Sequence, residues 1–187
     1  MPAIPTLTPL GLSALALLAE RPMHPYEMYQ LLVERNQERV VKVRPGSLYH
    51  TVGRLAGQGF LRATGTQRAG NRPERTTYEI TAAGRALLDE QLRTLLAVPA
   101  NEYPRFPQAL SEAHNLSRDT VVELCSRRLD RLRAEAEDFD AGIAGVEAAG
   151  IDAKYWIEMR YQQAMLAAET EWLEAFLADL ASGRLAW

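Results

Sequence analysis

The stretch that most constrains the fold covers residues 44–55 and predicts a short helix with two unlike faces. Pro45 suits the first helical position, where a backbone N–H has no intrahelical partner, and it disfavours a helical conformation for Arg44. One apolar stripe follows at i, i+4 and i+7, formed by Leu48, Val52 and Leu55. The opposite face carries side chains that can form hydrogen bonds: Ser47, His50, Thr51 and Arg54. We expect the stripe to dock on other helices and the polar face to meet a molecule outside the protein.

Two further helices are predicted before this stretch. Thr8 can cap the first helix, which begins at Pro9 and is apolar on most of its surface, as a buried helix is. A second helix begins at Pro25 and runs to about residue 36, with an inner face of Tyr26, Tyr29, Leu32 and Val33. The third helix should end near residue 58, because glycines at 57 and 59 terminate helices well.

Two strands are predicted after the third helix, over residues 60–65 and 76–80. The loop between them, residues 66–75, is polar and rich in arginine. Thr81 is a candidate N-cap for a fourth helix that reaches about residue 96. The order helix, helix, helix, strand, loop, strand is that of a winged helix-turn-helix.

Charge is distributed unevenly along the chain, whose net charge is −3. Residues 1–93 contain 12 Lys+Arg and 8 Asp+Glu, whereas residues 94–187 contain 9 and 16. Residues 39–85 alone hold nine basic and two acidic side chains. A local positive patch on an acidic protein favours polyanion binding over a merely solvated surface, because the patch coincides with the predicted winged domain.

The C-terminal part is predicted to be a long helical hairpin. Three prolines within residues 97–107 mark a domain boundary. Two helices follow, over about residues 118–149 and 153–181, each with apolar residues at alternating spacings of 4 and 3. The predicted fold is therefore mainly α with a small β-hairpin wing. It comprises a winged helix-turn-helix DNA-binding domain (1–96), a proline-rich linker (97–107) and a helical dimerisation domain with an antiparallel long-helix hairpin (108–187).

A homodimer is predicted because a single hairpin buries only part of this apolar surface. The alternative is a monomer whose helices fold back on the winged domain. The residues expected at the dimer interface come from both long helices: Leu129, Leu132, Phe139, Ile143, Trp156, Met159, Leu166, Trp172, Leu173 and Leu177. The C-terminal aromatic residues could instead line a ligand pocket, although dimer core is the commoner role of such residues.

Several classes of protein are disfavoured by composition and spacing. The single cysteine, Cys125, excludes an intrachain disulfide and indicates a reducing compartment. No apolar run approaches the roughly 20 residues that cross a bilayer, and no basic segment precedes the first helix as in a signal peptide. We therefore expect a cytoplasmic protein without membrane contact. His24, His50 and His114 lack metal-ligand spacing, so we expect no enzyme, no catalytic residue, no metal and no cofactor.

Several segments resemble the PadR family of transcriptional regulators. The resemblance is carried by Pro9-Leu10-Gly11-Leu12, Met23-His24-Pro25-Tyr26-Glu27-Met28, Arg44-Pro45-Gly46-Ser47-Leu48-Tyr49-His50, Asn71-Arg72-Pro73-Glu74-Arg75-Thr76 and Tyr78-Glu79-Ile80-Thr81-Ala82-Ala83-Gly84. It is strong over residues 7–96 and weaker in the helical C-terminal part. It implies a dimeric winged-helix regulator, usually a repressor, that a small molecule or stress signal releases from its operator.

The third helix is expected in the DNA major groove, with its N-terminal half nearest the bases. Tyr49 could donate to a phosphate or be a half-buried core residue. The amide end of the second helix can take a phosphate, and wing arginines can enter a minor groove. The predicted DNA-binding residues are Pro25, Tyr26, Arg44, Ser47, Tyr49, His50, Thr51, Arg54, Arg68, Asn71, Arg72 and Arg75.

The leading functional hypothesis is a sequence-specific regulator that binds double-stranded DNA as a homodimer on a palindromic site. A small-molecule effector or another signal would act through the linker. The alternatives are a helical protein-interaction module and a multidrug-binding sensor, in both of which the winged domain is not the primary binding site. Salt-dependent DNA affinity distinguishes the first hypothesis from the protein-interaction module.

Overall fold

The computed structural model describes residues 6–67 and 75–187, and the chain divides into two compact units, Met1–Asn101 and Glu102–Trp187. The described residues form seven α-helices and one two-stranded antiparallel sheet. The predicted fold class, mainly α with a small β-hairpin, is confirmed.

The first unit contains α1 (Pro9–Glu20), α2 (Pro25–Glu34), α3 (Pro45–Gly57) and α4 (Ala82–Ala97). The predicted caps are present. The side-chain oxygen of Thr8 accepts the N–H of Gly11, and that of Thr81 accepts the N–H of Gly84, each at 3.1 Å. α2 ends two residues earlier than predicted, and its buried side is formed by Pro25, Met28 and Leu32. The expected inner face was wrong at Tyr26 and Val33, which are exposed.

The core of this unit forms where the apolar stripe of α3 meets the other helices. Leu48, Val52 and Leu55 are at most 1% exposed, as the helical spacing predicts. α1 contributes the largest share of the buried residues, in agreement with its nearly uniform apolar sequence. The outward side of α3 is therefore supported from behind by a continuous apolar core.

The wing consists of β1 (Leu61–Gln67) and β2 (Arg75–Ile80), which pair antiparallel with an irregularity between Ala63 and Gly65. A third segment joins this sheet at a single residue. Met23 donates its N–H to the carbonyl of Tyr78 at 3.0 Å and accepts the N–H of Tyr78 at 3.1 Å. The turn before α2 is thus attached to the wing, which the sequence does not predict.

Gly84 allows α4 to pack closely against the turn that follows α3. A Cβ at this position would overlap the carbonyl oxygen of Phe60 and would lie 2.9 Å from Cγ1 of Ile80. The same region is tied by Thr81, whose hydroxyl donates to the carbonyl of Gly59 at 2.8 Å. Only a residue without a side chain fits here.

The second unit contains α5 (Arg105–Ser111), α6 (Arg118–Ala148) and α7 (Ile157–Ser182). The predicted linker, 97–107, overlaps helices at both ends, because α4 reaches residue 97 and α5 begins at residue 105. Pro107 is tolerated inside α5 since it lies in the first turn, where no intrahelical N–H bond is lost. α7 begins four residues later than predicted, after a 3₁₀ turn over Ala153–Tyr155.

α6 and α7 form an antiparallel hairpin, and this corrects the assignment of dimerisation residues. The predicted seams of the two helices pack against each other within one chain. Leu129, Leu132, Phe139, Ile143, Trp156 and Leu173 are at most 9% exposed in the isolated chain, while Met159, Leu166 and Leu177 are partly buried. The six buried side chains are covered within the hairpin and are not free to contact a second chain, whereas a dimer interface at Met159, Leu166, Leu177 and Trp172 stays a prediction. Trp172 is 46% exposed.

The aromatic residues of this unit do not line one cavity. Trp172 stacks on Phe176, with centroids 5.1 Å apart, and Phe106 and Trp187 meet this pair edge-on. Trp156 is buried elsewhere and donates its indole N–H to the carbonyl of Ile151 at 2.9 Å. Cys125 is buried in the hairpin, and this burial raises the pKa of its thiol. Among the described residues, no helix has the length and apolar character needed to cross a membrane.

Candidate nucleic-acid interface

The N-terminus of α3 is open. Arg44 adopts an extended conformation (φ −140°, ψ 137°) immediately before Pro45, as the sequence predicts. Within the described part of the chain, the side chain of Arg44 makes no capping hydrogen bond to the first turn, and no acidic residue lies in that turn. The positive end of the helix dipole is therefore not neutralised by the protein, which favours an anion at this end.

Exposure on α3 confirms most of the expected polar face and corrects it at one residue. Ser47, His50 and Arg54 are exposed, whereas Thr51 is only 8% exposed. Thr51 stands three residues after Leu48 and four before Leu55, so the helical repeat places it beside the apolar stripe. Its methyl group is 3.8 Å from the position that a Cβ of Gly11 would take. The prediction that Thr51 points outward was wrong, because it packs towards α1.

Three glycines lie on the exposed side of α3. Gly46, Gly53 and Gly57 are spaced by seven and four residues, which places them on one line along the helix. A Cβ added at any of them would meet no atom within 4 Å. Among the described residues, nothing packs where their side chains would be, so the helix backbone is left accessible to a close-lying partner.

The basic side chains around α3 differ in whether an acid neutralises them. Among residues 6–67 and 75–187, no carboxylate forms an ion pair with Lys42, Arg44 or Arg54. Arg62, in contrast, pairs with Glu79 across the wing. The unpaired cations lie before and within α3, so the positive potential is concentrated at that helix.

The N-terminus of α2 is already capped by a side chain of the protein, which weighs against the predicted phosphate site there. His24 caps this helix, and its Nδ1 accepts the N–H of Tyr26 at 3.0 Å. Glu27 lies in the first turn and pairs with Arg21 at 2.6 Å, and the hydrogen bond from Arg21 lowers the pKa of Glu27. Pro25 is buried. An incoming phosphate would compete with a carboxylate and an accepting imidazole, so this helix end is a poor anion site.

Tyr49 and Tyr26 are nevertheless available on the surface. Tyr49 is 45% exposed and packs edge-on against the ring of His24, with centroids 5.8 Å apart. The interpretation of Tyr49 as a half-buried core residue is not supported, because its ring is held at the surface by the His24 contact. Tyr26 is 46% exposed. Sequence reasoning missed His24, although its position directly before a helix-starting proline was a usable signal.

The remaining predicted contacts belong to the wing. Arg75 is the first residue of β2. Arg68, Asn71 and Arg72 lie outside the described residues. Within the part of the chain that is described, no group of three His, Cys, Asp or Glu side chains is arranged to hold a metal ion.

These elements define a class of protein. α1 and α2 support α3, whose outward side is polar and basic, and a β-hairpin follows α3. This arrangement is the winged helix-turn-helix. The sequence model of the Transcriptional regulator PadR-like family matches residues 14–90. The predicted resemblance to the PadR family is thereby confirmed, and the winged unit is PadR-like.

Solved structures extend the similarity of fold to more than nine tenths of the chain. Bacillus subtilis PadR in complex with operator DNA gives a TM-score of 0.76 at 19% identity, covering 91% of this chain and 98% of that one. The same protein with p-coumaric acid gives 0.77 at 18% identity, covering 92% and 98%. The Vibrio cholerae virulence activator AphA gives 0.69 at 19% identity, covering 92% and 98%. No curated protein sequence matches this chain.

Proposed function

We propose that this protein is a sequence-specific DNA-binding transcriptional regulator that inserts α3 into the major groove. The observation that carries the proposal is the outward side of α3, which combines an uncapped N-terminus, the unpaired cations Arg44 and Arg54, and no acidic residue in its first turn. A major groove admits one α-helix, and its phosphates attract this distribution of charge. Bacillus subtilis PadR, whose fold is similar, has been crystallised with operator DNA.

Individual roles follow from the position of each side chain on α3. Arg44 precedes the helix and is suited to a phosphate. Ser47 and His50 lie in the N-terminal half, from which base edges are contacted. Arg54 lies in the last turn and can reach a guanine or a phosphate. Tyr26 and Tyr49 are exposed hydroxyl donors beside this face.

The proposal includes a homodimer on a palindromic operator. Two copies of α3 would then enter successive major grooves about 34–36 Å apart. Apolar side chains left exposed in the helical unit support self-association, since Tyr161, Met165 and Trp172 are 46–67% exposed. The mass in solution tests this part, because a species of 20.9 kDa at micromolar concentration would be a monomer.

We also propose that the protein acts as a repressor and that a small molecule releases it. The support is the family resemblance and the structure of Bacillus subtilis PadR with p-coumaric acid. A reporter gene under the chain's own promoter tests the sign of regulation. Expression should rise when the regulator gene is deleted, and a fall would identify an activator instead.

The central experiment is a titration of duplex DNA from the chain's own promoter at several salt concentrations. Affinity should fall steeply as salt rises, because bound phosphates release counterions. A scrambled duplex of equal length should bind more weakly than the promoter duplex. Absence of affinity for the promoter duplex even at low salt would refute DNA binding.

A further inference from the structure

The ring of Tyr49 receives little support from its own helix. On α3, the positions nearest to it are three and four residues away in either direction. Two of these, Gly46 and Gly53, have no side chain, and a Cβ at either would meet no atom within 4 Å. A third, Val52, is buried in the core. Tyr49 itself is 45% exposed, so little on α3 fixes the direction of its ring.

A residue of another element contacts this ring. The imidazole of His24, directly before α2, meets the ring of Tyr49 edge-on, with centroids 5.8 Å apart and planes inclined by 73°. Aromatic pairs prefer this arrangement. Among the residues that the structure describes, none forms a hydrogen bond with the hydroxyl of Tyr49. The ring is therefore held from one side while its hydroxyl stays available to an acceptor outside the protein.

His24 is itself held in place by backbone groups. Its Nδ1 accepts the N–H of Tyr26 at 3.0 Å, and its carbonyl accepts the N–H of Met28 at 3.1 Å. The preceding residue, Met23, is 1% exposed and forms two backbone hydrogen bonds with Tyr78 of the wing. The imidazole is therefore a fixed support, anchored both in the first turn of α2 and in the wing.

The cap also indicates the charge of this imidazole. A ring nitrogen that accepts an N–H carries no proton, so His24 is neutral while it caps α2. A neutral ring attracts a phosphate far less than a cation does. His24 is also only partly exposed. Support of Tyr49, rather than a charged contact with DNA, is the role that this geometry favours.

We propose that His24 is a positioning residue of the DNA interface, which holds the ring of Tyr49 in the orientation in which its hydroxyl donates to a DNA phosphate. This inference rests on the DNA binding of the proposed function and adds a residue that does not itself contact DNA. A ring that is held before binding loses less conformational entropy when the contact forms. The expected gain in affinity is about two- to tenfold, which corresponds to the ordering of one side chain.

Two substitutions separate the ring of His24 from its cap. His24→Asn keeps an N-cap acceptor but removes the ring, whereas His24→Phe keeps a ring but removes the acceptor. His24→Asn should weaken binding of the promoter duplex by about two- to tenfold with little change in Tm. His24→Phe should retain most of the affinity, because it restores the ring, and should lower Tm by about 2–4 °C through loss of the cap. Fluorescence anisotropy and thermal unfolding of the full-length chain measure these effects.

A purely structural role of the cap predicts the opposite pattern of affinities. His24→Phe would then lose affinity, and His24→Asn would bind as wild type does. That result would overturn the proposal. His114→Asn is the matched control, because His114 is an exposed histidine of the second unit, and its replacement should leave DNA affinity unchanged.

A double-mutant cycle with Tyr49→Phe shows whether the effect of His24 passes through the tyrosine hydroxyl. Tyr49→Phe alone should weaken binding, since the phosphate donor is lost, and His24→Asn should then cause no further loss. A full further loss would show that His24 contacts DNA directly and would overturn the proposal, as would an unchanged affinity of Tyr49→Phe. These outcomes leave DNA binding by wild type intact, whereas a wild type that does not bind the promoter duplex overturns the proposed function itself.

Discussion

The outward side of α3 and the hairpin of α6 and α7 both carry exposed arginines, yet these arginines differ in whether an acidic side chain pairs with them. Arg54 on α3 has no ion-pair partner within the described residues, whereas Arg133 on α6 pairs with Glu174 at 2.6 Å. The side chain of Arg133 is 54% exposed, so exposure does not separate the two. An anion-binding surface is distinguished by cationic side chains that form no ion pair within the protein.

The largest effect, on stability, is expected when the close packing at Gly84 is disrupted without any change of charge. Gly84→Ala should lower the free energy of unfolding by about 3 kcal/mol, since the new methyl group overlaps the carbonyl of Phe60. Thermal unfolding measures the loss. Gly57→Ala is the matched control, because a Cβ there meets no atom within 4 Å, and it should not destabilise. Equal stability of Gly84→Ala and wild type would contradict the close packing at this position.

The second largest effect is expected when the unpaired arginine of α3 is removed. Arg54→Ala should reduce affinity for the operator by about tenfold to a hundredfold, which is the range for one guanidinium contact to a base. Arg133→Ala should leave DNA affinity unchanged, although both substitutions remove one exposed arginine. Fluorescence anisotropy with the promoter duplex measures both. If the two variants lost affinity equally, net charge rather than the position of the unpaired cation would account for binding.

A smaller effect is expected at Gly53, where one substitution should raise stability and lower operator affinity. Gly53→Ala should stabilise the protein by about 1 kcal/mol, because alanine is the better helix former and the new Cβ meets only open space. The same substitution should weaken operator binding several-fold, since the methyl group would stand between helix and DNA. Thermal unfolding and anisotropy on one preparation give both numbers. A gain in stability without loss of affinity would indicate that DNA does not approach α3 at this residue.

The smallest effect concerns Thr51. Thr51→Val keeps the outline of a side chain that packs towards α1 but removes its hydroxyl. Operator affinity should stay within about twofold of wild type, and stability should change by no more than about 1.5 kcal/mol, the usual net contribution of one hydrogen bond. Ser47→Ala, one turn earlier and exposed, should lower affinity measurably if it donates to DNA. A marked loss of affinity in Thr51→Val would restore Thr51 as a contact residue and would contradict its burial.

Local rules predicted most of the winged unit. Thr8 and Thr81 cap their helices as expected, and α3 begins at Pro45 and ends one residue before the predicted boundary. The errors share a cause. Thr51 lies beside the apolar stripe and His24 precedes a helix-starting proline, so each carried a local signal. The contacts that fix their roles, with α1 and with the N–H of Tyr26, are seen only in the structure. The attachment of Met23 to Tyr78 joins segments that are far apart in the sequence.

In the helical unit, periodicity predicted which residues form the apolar seams but not which helix covers them. The 4–3 spacing identifies Leu129 and Leu173 as residues that must be covered, and both are buried. It does not distinguish a helix of the same chain from a helix of another, because the packing of apolar side chains is the same in both cases. The short connection between α6 and α7 favours the helix of the same chain, since it is tethered at high effective concentration.

The amino-acid sequence by itself determined where α3 begins and ends, which of its residues are apolar and where positive charge is concentrated, because proline geometry, helix periodicity and charge are local properties. Only the tertiary structure decided that Thr51 packs towards α1, that Met23 in the turn before α2 pairs with the wing, and that Arg54 has no ion-pair partner among the described residues while Arg133 has one. Each of these outcomes depends on contacts between residues that are far apart in the sequence, and packing determines those contacts.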